Sequence, residues 1–245
     1  MNRYVRTLLF VATTLAYPVF GQMDFERDTL ESPEGNIEIT FLGHGSLTVA
    51  FKGKIVYFDP VGRYADFSQM PKADLILVTH EHGDHLDSTA IENLRTGKTS
   101  IIHSEAGARK VRGGIVMKNG EVREIDGIKI EAVPAYNLVH MRSAGVPFHA
   151  KGSGNGYVVT FGKKRIYVAG DTENVPEMSE LGTIDCAFLP MNLPYTMTPE
   201  MVAEAAGRIK PKILYPYHFG NTNTAQVVEL LKEQKGMEIR LRKMK

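Results

Sequence analysis

The chain has 245 residues, 43% of them hydrophobic, with 29 Lys and Arg against 28 Asp and Glu. That balance suits one ordinary globular domain. It supplies no basic field aimed at nucleic acid and no acidic excess of the disordered kind.

The N-terminus reads as a targeting pattern. Arg3 and Arg6 precede the apolar or small stretch Thr7–Phe20, and Val19 and Gly21 place small side chains before a cut ahead of Gln22. This is the charged, apolar and cleavage-site order of a secretory signal. The stretch is shorter than the roughly 20 residues a membrane helix needs. The expectation is a signal peptide over 1–21 and a single domain over 22–245, periplasmic or secreted, with no stable membrane anchor after cleavage.

Asp24–Asn36 is polar and reads as a leader. Ile37–Leu42, Leu47–Phe51 and Ile55–Phe58 alternate as strands, with turns at Gly43-His44-Gly45-Ser46 and Gly53-Lys54, and Asp59-Pro60 closes this meander. Leu75-Ile76-Leu77-Val78 is a buried strand that runs into Thr79-His80-Glu81-His82-Gly83-Asp84-His85. A short helix capped by Asp87 or Ser88 runs to Arg95, followed by a strand over Ser100–His103 and a second short helix over Ser104–Val111. Strands recur from Ile115 to Val133, turning at Asn119-Gly120 and Asp126-Gly127.

Pro134–Gly156 reads as a long loop, which in a domain of this size is more often functional than idle. Tyr157–Phe161 and Arg165–Ala169 form a hairpin ending in Gly170-Asp171-Thr172, and Ile184–Leu189 is a further buried strand. It contains Cys186, the only cysteine, so no intramolecular disulfide forms and the thiol reads as a small buried hydrophobe. Thr198-Pro199-Glu200 starts a helix to about Arg208. Ile213–Tyr215 is a strand delivering His218, Thr224–Lys235 a last helix, and Glu238–Leu241 a closing strand. Strands then helices, twice over, suggest two packed sheets with helices outside.

Three histidines and an aspartate in six residues after a strand are costly to bury without a partner. Imidazole and carboxylate are the usual zinc ligands besides thiolate. His80 and His82, two apart in extended chain, point the same way, while Gly83 permits a turn that aims Asp84 and His85 at a neighbouring point. One segment thus feeds two cations, and the remaining ligands must come from other strand ends. Asp171 and His218 each follow an apolar strand; His149 and His140 are rivals for one further place. Two metals about 3.5–4 Å apart activate a bridging water for hydrolysis without a serine or cysteine nucleophile. His44 and His103 read as ordinary packed histidines, with His44 a weak candidate to line the cleft. Asp59, Tyr136, Asn137, Tyr195 and Met197 are each open between a supporting role and packing.

Thr79–His85 resembles the HxHxDH signature of the metallo-β-lactamase superfamily. The likeness extends over nearly the whole mature chain, through Gly43-His44-Gly45, Asp59-Pro60, Gly170-Asp171-Thr172 and Pro216-Tyr217-His218. With Pro194-Tyr195-Thr196-Met197, it looks like the branch of UlaG-like and N-acyl-phosphatidylethanolamine phospholipase D-like hydrolases. The resemblance implies an α/β fold, an αββα sandwich of two mixed sheets with helices on the outer faces. It implies one metal on His80, His82 and a third-strand histidine, a second on Asp84, His85 and His218, and Asp171 bridging both. His149 is preferred to His140 because it precedes the strand leading to Asp171; Val133-Pro134-Ala135, which a histidine follows in some relatives, leads here into Tyr136-Asn137. His82 where some relatives carry glutamate favours two Zn2+, with Mn2+ or Fe2+ as other divalent choices.

The expected activity is metal-dependent hydrolysis of an ester, lactone or phosphodiester in a small-molecule substrate, with Asp84 or Asp171 orienting the nucleophile and taking its proton. The alternatives are a β-lactamase, or a non-catalytic metal-binding or sensing module on the same fold. Substrate choice is expected to lie with loops around Gly62–Pro71 and His140–Gly154, whose Phe67, Met70, Met141 and Phe148 suit an apolar-tolerant pocket. Oligomeric state has no signature in the sequence.

Overall fold

Alternating apolar side chains build the first sheet, and the reason is visible in its inner face. Residues 25–245 are described by a computed structural model of the chain; the expected signal segment Met1–Gly21 lies outside the described residues. Strands β1 (Arg27–Leu30), β2 (Ile37–Gly43), β3 (Ser46–Phe51), β4 (Lys54–Phe58), β5 (Leu75–Leu77), β6 (Ser100–His103) and β7 (Ile115–Val116) lie side by side in that order. The first four pair antiparallel, and β4 to β7 run parallel.

The second sheet repeats that plan. It contains β8 (Val122–Ile125) and β9 (Ile128–Ala135); the chain then makes a separate small hairpin of β10 (Met141–Ser143) and β11 (Val146–Pro147). It returns as β12 (Gly154–Phe161), β13 (Lys164–Val168), β14 (Cys186–Pro190), β15 (Ile213–Tyr217) and β16 (Glu238–Ile239). The second sheet's order is β16-β15-β14-β13-β12-β9-β8, with β13 to β16 parallel.

Both faces of the central strands are covered, which explains why they read as unbroken apolar runs. Leu75 and Leu77 of β5, and Cys186 and Phe188 of β14, point into the core between the sheets. Ile76 and Val78 point outward under α1 (Ser88–Leu94). Ala187 and Leu189 point outward under α2 (Pro199–Ile209) and α3 (Ala225–Leu231). In the inner core Phe188 stacks on Tyr215 with centroids 4.9 Å apart. The result is the αββα sandwich expected. Asp87 caps α1 by accepting from the backbone of Thr89 and Ala90, and Thr198 caps α2 by accepting from Met201.

Three local expectations are corrected. The leader contains β1, whose Asp28 is held by Arg242 at 2.6 Å and by Arg240 at 3.3 Å, contacts with the far end of the chain that no local pattern announces. Ser104–Val111 forms only a three-residue 3-10 turn, Gly107–Arg109. Pro134–Gly156 is not one loop: it holds the end of β9, the β10–β11 hairpin and the start of β12.

All parallel strands of both sheets deliver their carboxyl ends to one edge of the sandwich. Asp59 follows β4, Thr79–His85 follows β5, Gly170-Asp171 follows β13, Asn192 follows β14 and His218 follows β15. Polar residues placed just past apolar strands therefore meet in space.

Candidate metal centre

The edge is built around a buried carboxylate. Asp59, fully buried with φ +42°, accepts from the Thr79 amide at 2.7 Å and the Thr79 hydroxyl at 2.6 Å. Its Oδ2 also lies 2.7 Å from His85 Nδ1. Asp59 thus braces the turn and orients His85. The Thr79 hydroxyl, donating to Asp59, is left to accept from His80 Nδ1 at 3.0 Å. Asn137 Oδ1 lies 2.8 Å from His149 Nδ1 and accepts from the His149 amide. Three imidazoles are therefore held by one nitrogen and present Nε2 to a common space, the arrangement that prepares histidine for a metal.

That space has a definite division. Asp171 Oδ2 is 3.3 Å from His149 Nε2 and 3.8 Å from His80 Nε2. Asp171 Oδ1 is 3.3 Å from His85 Nε2 and 3.4 Å from His218 Nε2. His82 joins the first pair, its Nδ1 3.2 Å from His149 Nε2. Asp84 stands beside the second, its Oδ2 4.0 Å from His218 Nε2. Nε2 of His80, His85 and His218, and Oδ1 of Asp171, are buried without any hydrogen-bond partner. Each such orphan costs on the order of 1–3 kcal/mol. Converging unpartnered imidazole nitrogens and a carboxylate oxygen fit divalent cations, and this donor set suits zinc, manganese or iron.

Protonation in the folded protein agrees. Burial pushes His80 and His149 below the ordinary imidazole range and His218 down to about 4, so these rings are neutral donors at neutral pH. Burial opposes the charge of Asp171, but His218 and His85 outweigh it and hold the carboxyl well below its usual range. His85 goes the other way: burial lowers it, yet Asp171 and Asp59 on its two sides raise it well above the usual value.

The structure brings together His80, His82, His149, Asp171, Asp84, His85 and His218. His140 stands outside, with Nδ1 2.7 Å from Glu173 Oε1. His103 packs with its ring nitrogens 2.9 Å and 3.2 Å from the carbonyls of Ser104 and Gly113. His44 is different from the expectation: its Nε2 is 3.3 Å from Asp84 Oδ2, and its ring lies 3.7 Å from that of His218 and stacks on Tyr64. The flanking glycines explain its setting. Gly43 has φ +134°, open to glycine alone, and a Cβ on Gly45 would lie 2.7 Å from His85 Cε1.

Glu173 was not foreseen. Directly after Gly-Asp-Thr, it is fully buried and accepts from the amides of Leu138, Val139 and His140 and from Asn137 Nδ2. It therefore fixes the segment whose Asn137 holds His149.

A cavity of about 380 Å³ opens on the centre, with His82, Asp84, His149 and Asp171 on one wall and Arg142, Phe148, Asn192 and Tyr195 on the other. Of the loop residues expected over the site, Phe67 and Met70 instead pack in the outer layer under α1, and Met197 packs under α2. An equal cavity lies at the opposite strand ends, by Lys164, Lys212 and Arg240. There Asp185 lies within ion-pair distance of both lysines, and Glu238 and Asp28 hold the arginine, so each of these cations already has a carboxylate partner.

Residues 38–218 match the family model of the β-lactamase superfamily domain. A UPF0173 metal-dependent hydrolase of Pelotomaculum thermopropionicum is 33% identical over 203 residues, covering 79% of this chain and 87% of that protein. One of Methanopyrus kandleri is 34% identical over 200 residues, covering 75% and 84%. Among solved structures, a protein of Parabacteroides distasonis assigned as a metal-dependent hydrolase superposes with TM-score 0.86 at 45% identity, covering 90% of this chain and 100% of that one. A metallo hydrolase of Ignicoccus hospitalis, at 23% identity, shares the fold with TM-score 0.68 over 84% of this chain and 94% of its own.

Proposed function

The chain belongs to the metallo-β-lactamase superfamily of metal-dependent hydrolases, and on that premise we propose that it is an exported dinuclear zinc enzyme cleaving an ester, lactone or phosphodiester. One observation carries the dinuclear assignment: the two oxygens of Asp171 face two different histidine groups. His80, His82 and His149 would hold one cation and Asp84, His85 and His218 the other, with Asp171 shared. Bound zinc supplies Lewis acidity and water of pKa near 7.

The chain's own groups do the rest. Asp84 has a side chain 40% exposed toward the cavity, and His44 holds one of its oxygens. Burial opposes its ionisation, but the His44 hydrogen bond and the charge of His85 overcome it, so it is a carboxylate throughout the working range. It is placed to orient the attacking water and take up its proton. The open wall of the cavity is what a catalyst needs and a closed metal-binding module lacks. Gly43-His44-Gly45 and Pro194–Met197 support placement near the UlaG-like and phospholipase D-like branch.

Metal analysis of the purified protein should give two equivalents of zinc, and lactone or phosphodiester turnover should vanish with chelator. Two bound metals without chelator-sensitive turnover on lactone, phosphodiester or β-lactam would establish the non-catalytic module instead. Turnover of β-lactams alone would establish the β-lactamase. Export rests on Met1–Gly21, and N-terminal sequencing of the protein recovered outside the cytoplasm should begin at Gln22.

Two supporting positions have defined consequences. Gly45→Ala drives a methyl into His85, a ring that Asp59 prevents from yielding, so metal content should fall from two equivalents to about one. Asn137→Ala removes the acceptor on His149 and should weaken metal binding about 10–100-fold in chelator competition. Unchanged affinity would remove Asn137 from the site.

A further inference from the structure

The wall of the cavity facing the histidines has a chemistry of its own. Phe148, just after β11, and Tyr195, from the segment after β14, meet edge to face with centroids 5.1 Å apart. The Arg142 guanidinium of β10 lies 5.8 Å from the Phe148 ring centroid. No carboxylate of the described residues lies within ion-pair distance of Arg142, although the other cavity's cations are all paired. Asn137 Nδ2 donates to the Tyr195 carbonyl at 2.9 Å, so the residue that holds His149 also fixes this wall. Of the ten large apolar side chains exposed among the described residues, six lie on these segments: Leu138, Val139, Met141, Val146, Leu193 and Tyr195.

We infer that the site selects a small amphiphilic anion, its negative group held by Arg142 and its aromatic or acyl arm laid on the Phe148–Tyr195 shelf. This rests on the hydrolytic centre proposed above. The physical basis is threefold. An unpaired cation in a concavity focuses anions. Two dications against the carboxylates of Asp84 and Asp171 leave that side net positive as well, so a neutral substrate would use neither charge. The aromatic pair is an apolar, rigid surface that loses little entropy on contact. The volume of about 380 Å³ is at the small end for ligand sites and fits a small molecule. Arg142 is thereby a specificity-determining residue: it selects by charge and does not take part in bond cleavage.

The test compares wild type, Arg142→Gln and Phe148→Ala, all metal-loaded, by calorimetry with phenylphosphonate, phenylacetate and benzyl alcohol. Arg142→Gln is expected to retain its metals, to bind the two anions about tenfold more weakly and to bind benzyl alcohol as before. Phe148→Ala should weaken all three. The larger loss between phosphonate and carboxylate shows which anionic group Arg142 holds more strongly. In turnover, Arg142→Gln should raise KM for bis(para-nitrophenyl) phosphate and leave KM for para-nitrophenyl acetate unchanged. Equal anion affinity in wild type and Arg142→Gln overturns the inference even if hydrolysis is chelator-sensitive. A selective loss of anion binding with no turnover of any substrate upholds it and overturns the hydrolytic assignment.

Discussion

Replacing Asp171 with alanine is expected to remove both metals together and to lower turnover by at least about 10²–10³-fold, the range for loss of one preorganised charge-stabilising group. The carboxylate lies between four imidazole nitrogens, two at each oxygen, all between 3.3 and 3.8 Å. Without it no protein carboxylate remains between the two cation positions, and two dications at bridging distance would repel each other with far less compensation. Asp171→Asn is the sharper variant. It keeps the shape but turns one oxygen into an NH2 donor, which cannot face a cation, so one metal should remain and the other be lost. Metal analysis with circular dichroism as a control for folding reads the result. Two metals held by Asp171→Asn at wild-type affinity would sink the bridging role.

That such a site can be read from a sequence at all has a local cause. His80, His82, Asp84 and His85 are neighbours in the chain, and the alternation of extended backbone with a turn at Gly83 already separates them into two groups. Asp171 and His218 were legible for a different reason: each follows an apolar strand, and the parallel strands of both sheets end at one edge. His149 was legible only as one of two rivals. What separates it from His140 is a hydrogen bond to the Asn137 side-chain oxygen, against one from His140 to the Glu173 carboxylate, and neither partner is marked by spacing.

His44 was legible only as a weak candidate to line the cleft, because its partners, Asp84 and His218, stand 40 and 174 positions away. The same limit hid β1, whose place depends on Asp28 meeting Arg242. Phe67 and Met70 were expected near the substrate because apolar loop residues look alike whether they line a cavity or close the outer layer. Only the packing under α1 separates the two.

Metal affinity at the position of Asp84, His85 and His218 is expected to rise about tenfold per pH unit through neutrality, because one proton and only one must leave. Ligands bind as free bases, so each group still protonated contributes one proton to the competition. Burial holds His218 down at about 4, and Asp84 and Asp171 are carboxylates well below neutral pH. None of these titrates between pH 5 and 8. Burial alone would lower His85 too, but Asp171 and Asp59 outweigh it, so its ring carries a proton in the metal-free protein until its raised value is passed.

The sign follows: below that value the metal displaces the His85 proton, and affinity rises with pH; above it affinity is flat. Below about pH 4 His218 adds a second proton and the slope doubles. The stability of the metal-free fold moves the opposite way. The raised His85 stabilises the metal-free fold fully below its unfolded value near 6.5, and this is lost as pH rises through the folded value, while metal binding strengthens. The melting temperatures with and without metal should therefore diverge as pH increases. Chelator competition from pH 5 to 8 measures the slope. Asp59→Asn takes away one carboxylate that holds the proton on His85 and should flatten the profile. A slope of zero in wild type, or near three, would show that His85 does not carry the single titrating proton of this position.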